Sequence, residues 1–266
     1  MRYEPDFREG QLQQMANTAL YLHVLSTTGQ HRFPIIITPW QEAEWGWDTG
    51  YYFPWLGPPH PDQRGCNLFL QYKISTMHVS ADANGGKFWR GEFFRFTLGY
   101  QRGKRTWDCS QRDALVALAS QGYTVAYVTN HVLDLRQLCE LASQNQLCSS
   151  LPVLQVDDAV RGHVYASFTV QSDHFILHSE STSARRLSLK SIIAALPEGR
   201  SLVEDATAIL GFLREVERNL VKEGGIDREL GQISGRFPVE WVKIRLAGLY
   251  LRRYLDLTWF RIPASA

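Results

Sequence analysis

Hydrophobic positions recur along the chain in two periods, and the change from one to the other organises it. Between Gln11 and Thr27, Leu12, Met15, Leu20 and Val24 fall at mostly helical intervals, with Ala16 and Ala19 between them and Gly29 as a stop, so a helix is expected there. The β-branched run from Phe33 to Thr38 reads as a buried strand closed by Pro39, and Tyr51-Tyr52-Phe53 is a candidate second strand before the proline-rich loop Pro54 to Arg64. Asn67 to Ile74 is the clearest strand and Phe93 to Leu98 another, with the polar, glycine-containing stretch Ser80 to Gly86 as a loop between them. Ser110 is placed to cap a helix running to about Gln121, where Leu115, Leu118 and Ala119 share a face and Gly122 ends it. A strand (Tyr123 to Val128), a helix (Asp134 to Ser143) and three further strands (Val153 to Val156, His163 to Val170, Phe175 to His178) follow.

After about Ser183 the period of two gives way to one of 3.6, with helices expected over Leu187 to Leu196, Leu202 to Lys222 and Val239 to Trp259. Helix–strand alternation on top of earlier strands implies a mixed α/β fold. The expected organisation is an α/β core over residues 1–150, a β extension of it over 151–183 and a helical C-terminal region over 184–266. Charge divides along the same line: residues 1–183 hold 14 basic and 17 acidic side chains, residues 184–266 hold 14 and 10, so the helical part is mildly basic. Its last helix joins an apolar surface (Trp241, Ile244, Leu249, Leu251, Leu255) to cations (Lys243, Arg245, Arg252, Arg253), read first as a core helix with a solvated basic face and second as a DNA-backbone contact or a subunit interface.

Composition narrows the classes. With 44% hydrophobic and 21% charged residues, and 28 Lys+Arg against 27 Asp+Glu, the chain is neither disordered nor collagen-like. The Ile35-Ile36-Ile37 run is far too short to span a membrane, and the N-terminus has charges of both signs with no apolar stretch behind them, so a cytoplasmic location and no membrane partner are expected. Cys66, Cys109, Cys139 and Cys148 form no CxxC pair and the histidines no HxxxH or HxH spacing; a zinc site is not expected, and the thiols are read as buried and reduced. Gly85-Gly86-Lys87-Phe88 lacks the hydroxyl of a phosphate loop, and Gly231-Gln232-Ile233-Ser234-Gly235 lacks the spacing of a nucleophile elbow.

The positive signal lies on the strand Asn67 to Lys73. Side chains alternate across it, so Leu68, Leu70 and Tyr72 share one face and Asn67, Phe69, Gln71 and Lys73 the other. An amide and an ammonium thereby project together, as they do beside a cleft or at a sheet edge. Upstream, Glu42, Glu44 and Asp48 lie within seven residues among bulky indoles. A hard divalent cation takes oxygen ligands, one or two carboxylates with carbonyls and water, which Glu42 or Glu44, Asp48 and the Gln71 amide oxygen can supply. Lys73 would stand near a bound phosphate and the attacking water. Trp40, Trp45, Trp47 and Trp55 are read as core before base-stacking rings, and His78 and His131 as loop histidines outside the site.

Glu42-x3-Gly46-x-Asp48, followed after 22 intervening residues by Gln71-x-Lys73, resembles the PD-(D/E)xK nuclease superfamily in its Q-x-K variant, as found in bacterial restriction and defence enzymes. The resemblance covers about the first half of the chain. It implies a restriction-endonuclease-like mixed sheet flanked by helices, and Mg²⁺ or Mn²⁺ held by Asp48, Gln71 and Glu42 or Glu44. It also implies a Lys73 that orients or activates water, and cleavage of phosphodiesters, DNA before RNA, in a bacterial defence setting. Residues 184–266 would then serve self-assembly or a defence-system partner. The competing reading is a nuclease fold without catalysis that recognises nucleic acid or protein, favoured by a net charge of only +1. A third is a protein-interaction module in which the aromatic and Pro-rich loop Trp47 to Pro61 docks a peptide.

Overall fold

The computed structural model describes residues 1–29, 62, 64–79, 88–89, 91–102, 106–179, 181–221, 225–233 and 239–263. In chain order its elements are β1 (Arg2–Tyr3), α1 (Glu9–Thr28), β2 (Gly65–Lys73), β3 (Thr76–His78), β4 (Phe93–Thr97), β5 (Tyr100–Arg102), β6 (Thr106–Asp108), α2 (Ser110–Ser120), β7 (Thr124–Thr129), α3 (Leu135–Ser143), α4 (Leu147–Ser150) and β8 (Val153–Gln155). There follow β9 (Tyr165–Phe168), β10 (His174–His178), β11 (Thr182–Arg185), α5 (Leu189–Ala194), α6 (Leu202–Val216), α7 (Gly225–Ile233), α8 (Val239–Leu255) and β12 (Thr258–Pro263). The fold is mixed α/β with a helical C-terminal region, as the alternation of periods implies. The chain divides into two compact units, one of Met1–His23 with Gln71–Ala195 and one of Val24–Leu70 with Leu196–Ala266, so the division falls inside α1 and inside β2. The strands expected at Phe33 to Thr38 and Tyr51 to Phe53 lie outside the described residues.

The first unit is built on a six-stranded antiparallel sheet in the order β1-β3-β4-β9-β10-β11. One face of it is apolar because β4, β9 and β10 place Phe94, Phe96, Phe168, Phe175 and Leu177 on the same side, all buried. Their rings interlock, Phe94 stacking on Phe168 at 5.5 Å between centroids and Phe168 meeting Phe175 edge-on at 5.1 Å. Helix α2 begins where Asp108 accepts hydrogen bonds from the Ser110 amide (3.0 Å) and hydroxyl (2.5 Å). The N-cap position expected of Ser110 falls on Cys109, whose side chain makes no capping bond, with Asp108 two residues before Ser110 steadying the turn, and Gly122 at φ +89° ends the helix as expected. β7 pairs antiparallel with β8, Tyr127 opposite Leu154, and Asp134 caps α3 between them by accepting from the Arg136 amide at 2.6 Å. The unit extends past the change of period, through β11 and the Ser188 capping box of α5, to Ala195.

In the second unit α6 starts at a reciprocal capping box between Ser201 and Glu204 and packs on α8. The single helix expected over Leu202 to Lys222 is interrupted: regular α geometry stops at Val216 and the chain widens into a π turn over Glu217–Val221. There the buried Glu217 carboxylate accepts from the Gly225 amide at 2.7 Å and the Tyr254 hydroxyl at 2.6 Å, bonds that a straight helix would not offer it. The expected helix through Trp259 also stops short, at Leu255. Asp256 takes φ +53°, and Thr258–Pro263 then pairs antiparallel with β2, Thr258 opposite Leu70 and Pro263 opposite Gly65. Among the described residues no helix is long and apolar enough to cross a membrane.

Candidate functional site

The strand β2 has the alternation expected of it. Tyr72 points to the side of α1, where its hydroxyl donates to Asn17 Oδ1 at 2.5 Å, and the ring is 1% exposed. Gln71 and Lys73 therefore take the opposite side; Gln71 is fully buried and Lys73 half-buried. Just past the strand the chain is tied to the end of β7. The Ser75 amide donates to Asn130 Oδ1 (2.8 Å), the Ser75 hydroxyl to the Asn130 carbonyl (2.6 Å), and Asn130 Nδ2 back to the Ser75 carbonyl (3.1 Å). Three hydrogen bonds between two buried residues hold these strand ends in fixed register, which gives the amide–ammonium pair a rigid base.

The carboxylates expected to complete the site, Glu42, Glu44 and Asp48, lie outside the described residues. Among the described residues no three His, Cys, Asp or Glu side chains gather where they could hold a metal ion. The group here that can act toward a hard divalent cation is the Gln71 amide oxygen, and Lys73 lies on the same side of the strand.

The other end of the same strand serves a different purpose. Asn67 is 5% exposed, and its Oδ1 accepts from Trp259 Nε1 (3.1 Å) and Arg261 Nη1 (2.7 Å) while its Nδ2 donates to Asp205 Oδ2 (2.8 Å). Arg261 Nη1 lies 2.5 Å from Asp205 Oδ2, both side chains almost wholly buried, and Nη2 donates to the Arg200 carbonyl. Asn67 therefore belongs to a closed structural network. The sequence carried one sign of it, an arginine inside the otherwise apolar run Trp259 to Ile262.

Histidines assigned to loops divide. His131 follows β7 in a loop, as expected; burial and then Arg186 hold its pKa down to about 4, and its buried Nδ1 has no hydrogen-bond partner among the described residues. His78 instead sits in β3, buried and stacked on Phe93 at 5.3 Å, because the short strand Thr76–His78 pairs with β4. Of the thiols only Cys148 is buried; Cys66 and Cys109 are partly exposed and Cys139 exposed, since its position on α3 faces solvent. Burial pushes the Cys148 pKa up to about 11, which leaves it a protonated, inert group.

No protein-family model matches the chain, and comparison with curated proteins and with solved structures likewise found no match.

Proposed function

We propose that the chain is a metal-dependent nuclease that hydrolyses phosphodiester bonds, of DNA before RNA, in a bacterial defence or restriction setting. The supporting observation is the placement of Gln71 and Lys73 on one side of β2 while Tyr72 anchors the other side to Asn17, the arrangement the Q-x-K resemblance requires. In this reading Asp48, the Gln71 oxygen and Glu42 or Glu44 would hold Mg²⁺ or Mn²⁺, whose chemistry when bound would be to polarise water and phosphate. Lys73 stabilises the charge that develops on the phosphoryl oxygens. Residues 184–266 would carry the contact with a further copy or a defence partner, and the protein would act in the cytoplasm.

The test is cleavage of plasmid and single-stranded DNA, and of RNA, by purified full chain with Mg²⁺, Mn²⁺ or EDTA. Divalent-dependent cleavage that falls at least 100-fold in Lys73→Ala and in Asp48→Ala is expected, for loss of a charge acting on the transition state. A folded wild type that cuts none of these substrates with either metal overturns the proposal, as does full activity in Lys73→Ala. Salt-dependent binding without turnover would instead select the recognition subunit, the reading the net charge of +1 favours.

A further inference from the structure

The six-stranded sheet of the first unit has a second face, opposite its phenylalanine core. Directly paired residues of antiparallel strands point to the same side, so the register fixes what that face carries. Arg2 stands opposite His78 and Arg95 opposite Ser167. His178 stands opposite Tyr165, and His174 opposite Arg185. At its paired positions this face holds three arginines, three histidines and no carboxylate. Acids touch it from flanking positions: Glu4 pairs with Arg2 at 2.9 Å and Asp173 with His174 at 2.8 Å, while Arg185 is exposed.

Aromatic rings lie among these arginines and imidazoles. Trp89 donates from Nε1 to Ser167 Oγ at 2.8 Å and its ring lies 5.5 Å from that of His174. The Arg95 guanidinium sits 4.8 Å over the ring of Tyr165. Both rings are half-buried, which leaves each with surface to offer. At the β10–β11 edge the face opens into a depression lined by Asp173, His174, Ser183, Arg185 and Arg186. The positive field is felt locally: after burial, the causes that hold His78 down to about 4 are Arg95, Arg2 and the N-terminal amine.

We propose that this face binds single-stranded nucleic acid, with phosphates drawn to Arg95 and Arg185 and bases stacking on Trp89 and Tyr165. Cations at intervals along a face with interleaved rings match a chain whose charges and π faces alternate. Rings set into a sheet can stack only on bases whose faces are free, and a duplex keeps its bases paired and stacked inside. The inference deepens the nuclease reading by naming the form of its substrate, and it rests on that reading only for the fate of the bound strand.

Fluorescence anisotropy tests it, with the full chain in EDTA and a fluorescein-labelled oligo(dT) or the corresponding dT·dA duplex. The single strand is expected to bind at least tenfold tighter than the duplex. Arg95→Ala and Arg185→Ala should each weaken it severalfold and lower the log–log salt slope by about 0.7. Tyr165→Ala should weaken it about fivefold to 100-fold, the loss of one stacking platform. Arg185 is exposed, so its variant keeps the test valid if substitution at Arg95 or Tyr165 disturbs the sheet; melting curves identify such a case. No binding by the wild type at low salt, a preference for duplex, or an unchanged affinity and salt slope in Arg185→Ala overturns the inference. Divalent-dependent cleavage unaffected by Arg185→Ala would remove this face and leave the nuclease reading intact. Binding without cleavage would do the reverse.

Discussion

Asp205→Asn is the perturbation whose energetic consequence the structure defines most sharply. The carboxylate lies 2.5 Å from Arg261 Nη1, with side chains 4% and 1% exposed, and the amide variant keeps its shape while removing its charge. Removing one partner of a buried pair leaves an uncompensated ion, at about 3–5 kcal/mol. Here the lower end applies, because Arg261 keeps its bonds to Asn67 Oδ1 and to the Arg200 carbonyl. About 3 kcal/mol is a large part of a domain's typical 5–15 kcal/mol. At a slope of about 2 kcal/mol per molar urea it moves the midpoint down by about 1.5 M.

The assay is urea unfolding followed by far-UV circular dichroism and tryptophan fluorescence, so that separate transitions of the two units are visible if they occur. Arg136→Ala, which removes an exposed pair with Glu140 at 3.8 Å, is the control and should change stability by less than about 0.5 kcal/mol. The decisive comparison is Asp205→Leu with Arg261→Met. The double variant buries no charge at this position and should be at least about 2 kcal/mol more stable than the sum of the single losses allows. A shift within about 0.5 kcal/mol for Asp205→Asn, or additivity in the cycle, would refute the structural role given to this network.

Acidification should destabilise the first unit between pH 6.5 and about 4. His78 and His131 have folded-state pKa values of about 4, so over that window the unfolded chain takes up protons that the folded chain refuses. The unfolding free energy from urea titrations should be flat above pH 7 and fall across the window by about 1–2 kcal/mol in total once screening is allowed for, and His78→Gln and His131→Gln should flatten the profile. Gly65→Ala should cost about 1–3 kcal/mol by the same unfolding assay, because a Cβ there would meet the Ile262 carbonyl oxygen at 2.6 Å and push β12 off β2.

Elements whose signal is local were legible in the sequence. The end of α2 at Gly122 and the alternation of β2 follow from a few neighbouring residues, and both stand where expected. Misreadings arose where a distant partner decides. Leu251, Leu255 and Trp259 continue a helical spacing of four, and only pairing with β2 makes the segment from Thr258 a strand. The π turn at Glu217 likewise depends on donors at Gly225 and Tyr254. The basic face of the six-stranded sheet was illegible for the same reason: Arg2, Arg95 and Arg185 belong to three strands far apart in sequence, and only register brings them to one side.

Along β2 one face presents Asn67, Phe69, Gln71 and Lys73, and the two ends show why a polar side chain on a strand is not in itself a sign of chemistry. Both hydrogen-bonding ends of the Asn67 amide meet the Arg261 network, so its polarity is explained by folding. Lys73 is half-buried at the end of the strand, beside the Ser75–Asn130 clasp that fixes its backbone. A structural lysine there should respond to substitution in stability, whereas a lysine acting on phosphate should respond in turnover with stability nearly unchanged. Measuring both quantities on Lys73→Ala therefore separates the two roles, and Asp205→Asn provides the opposite signature for comparison.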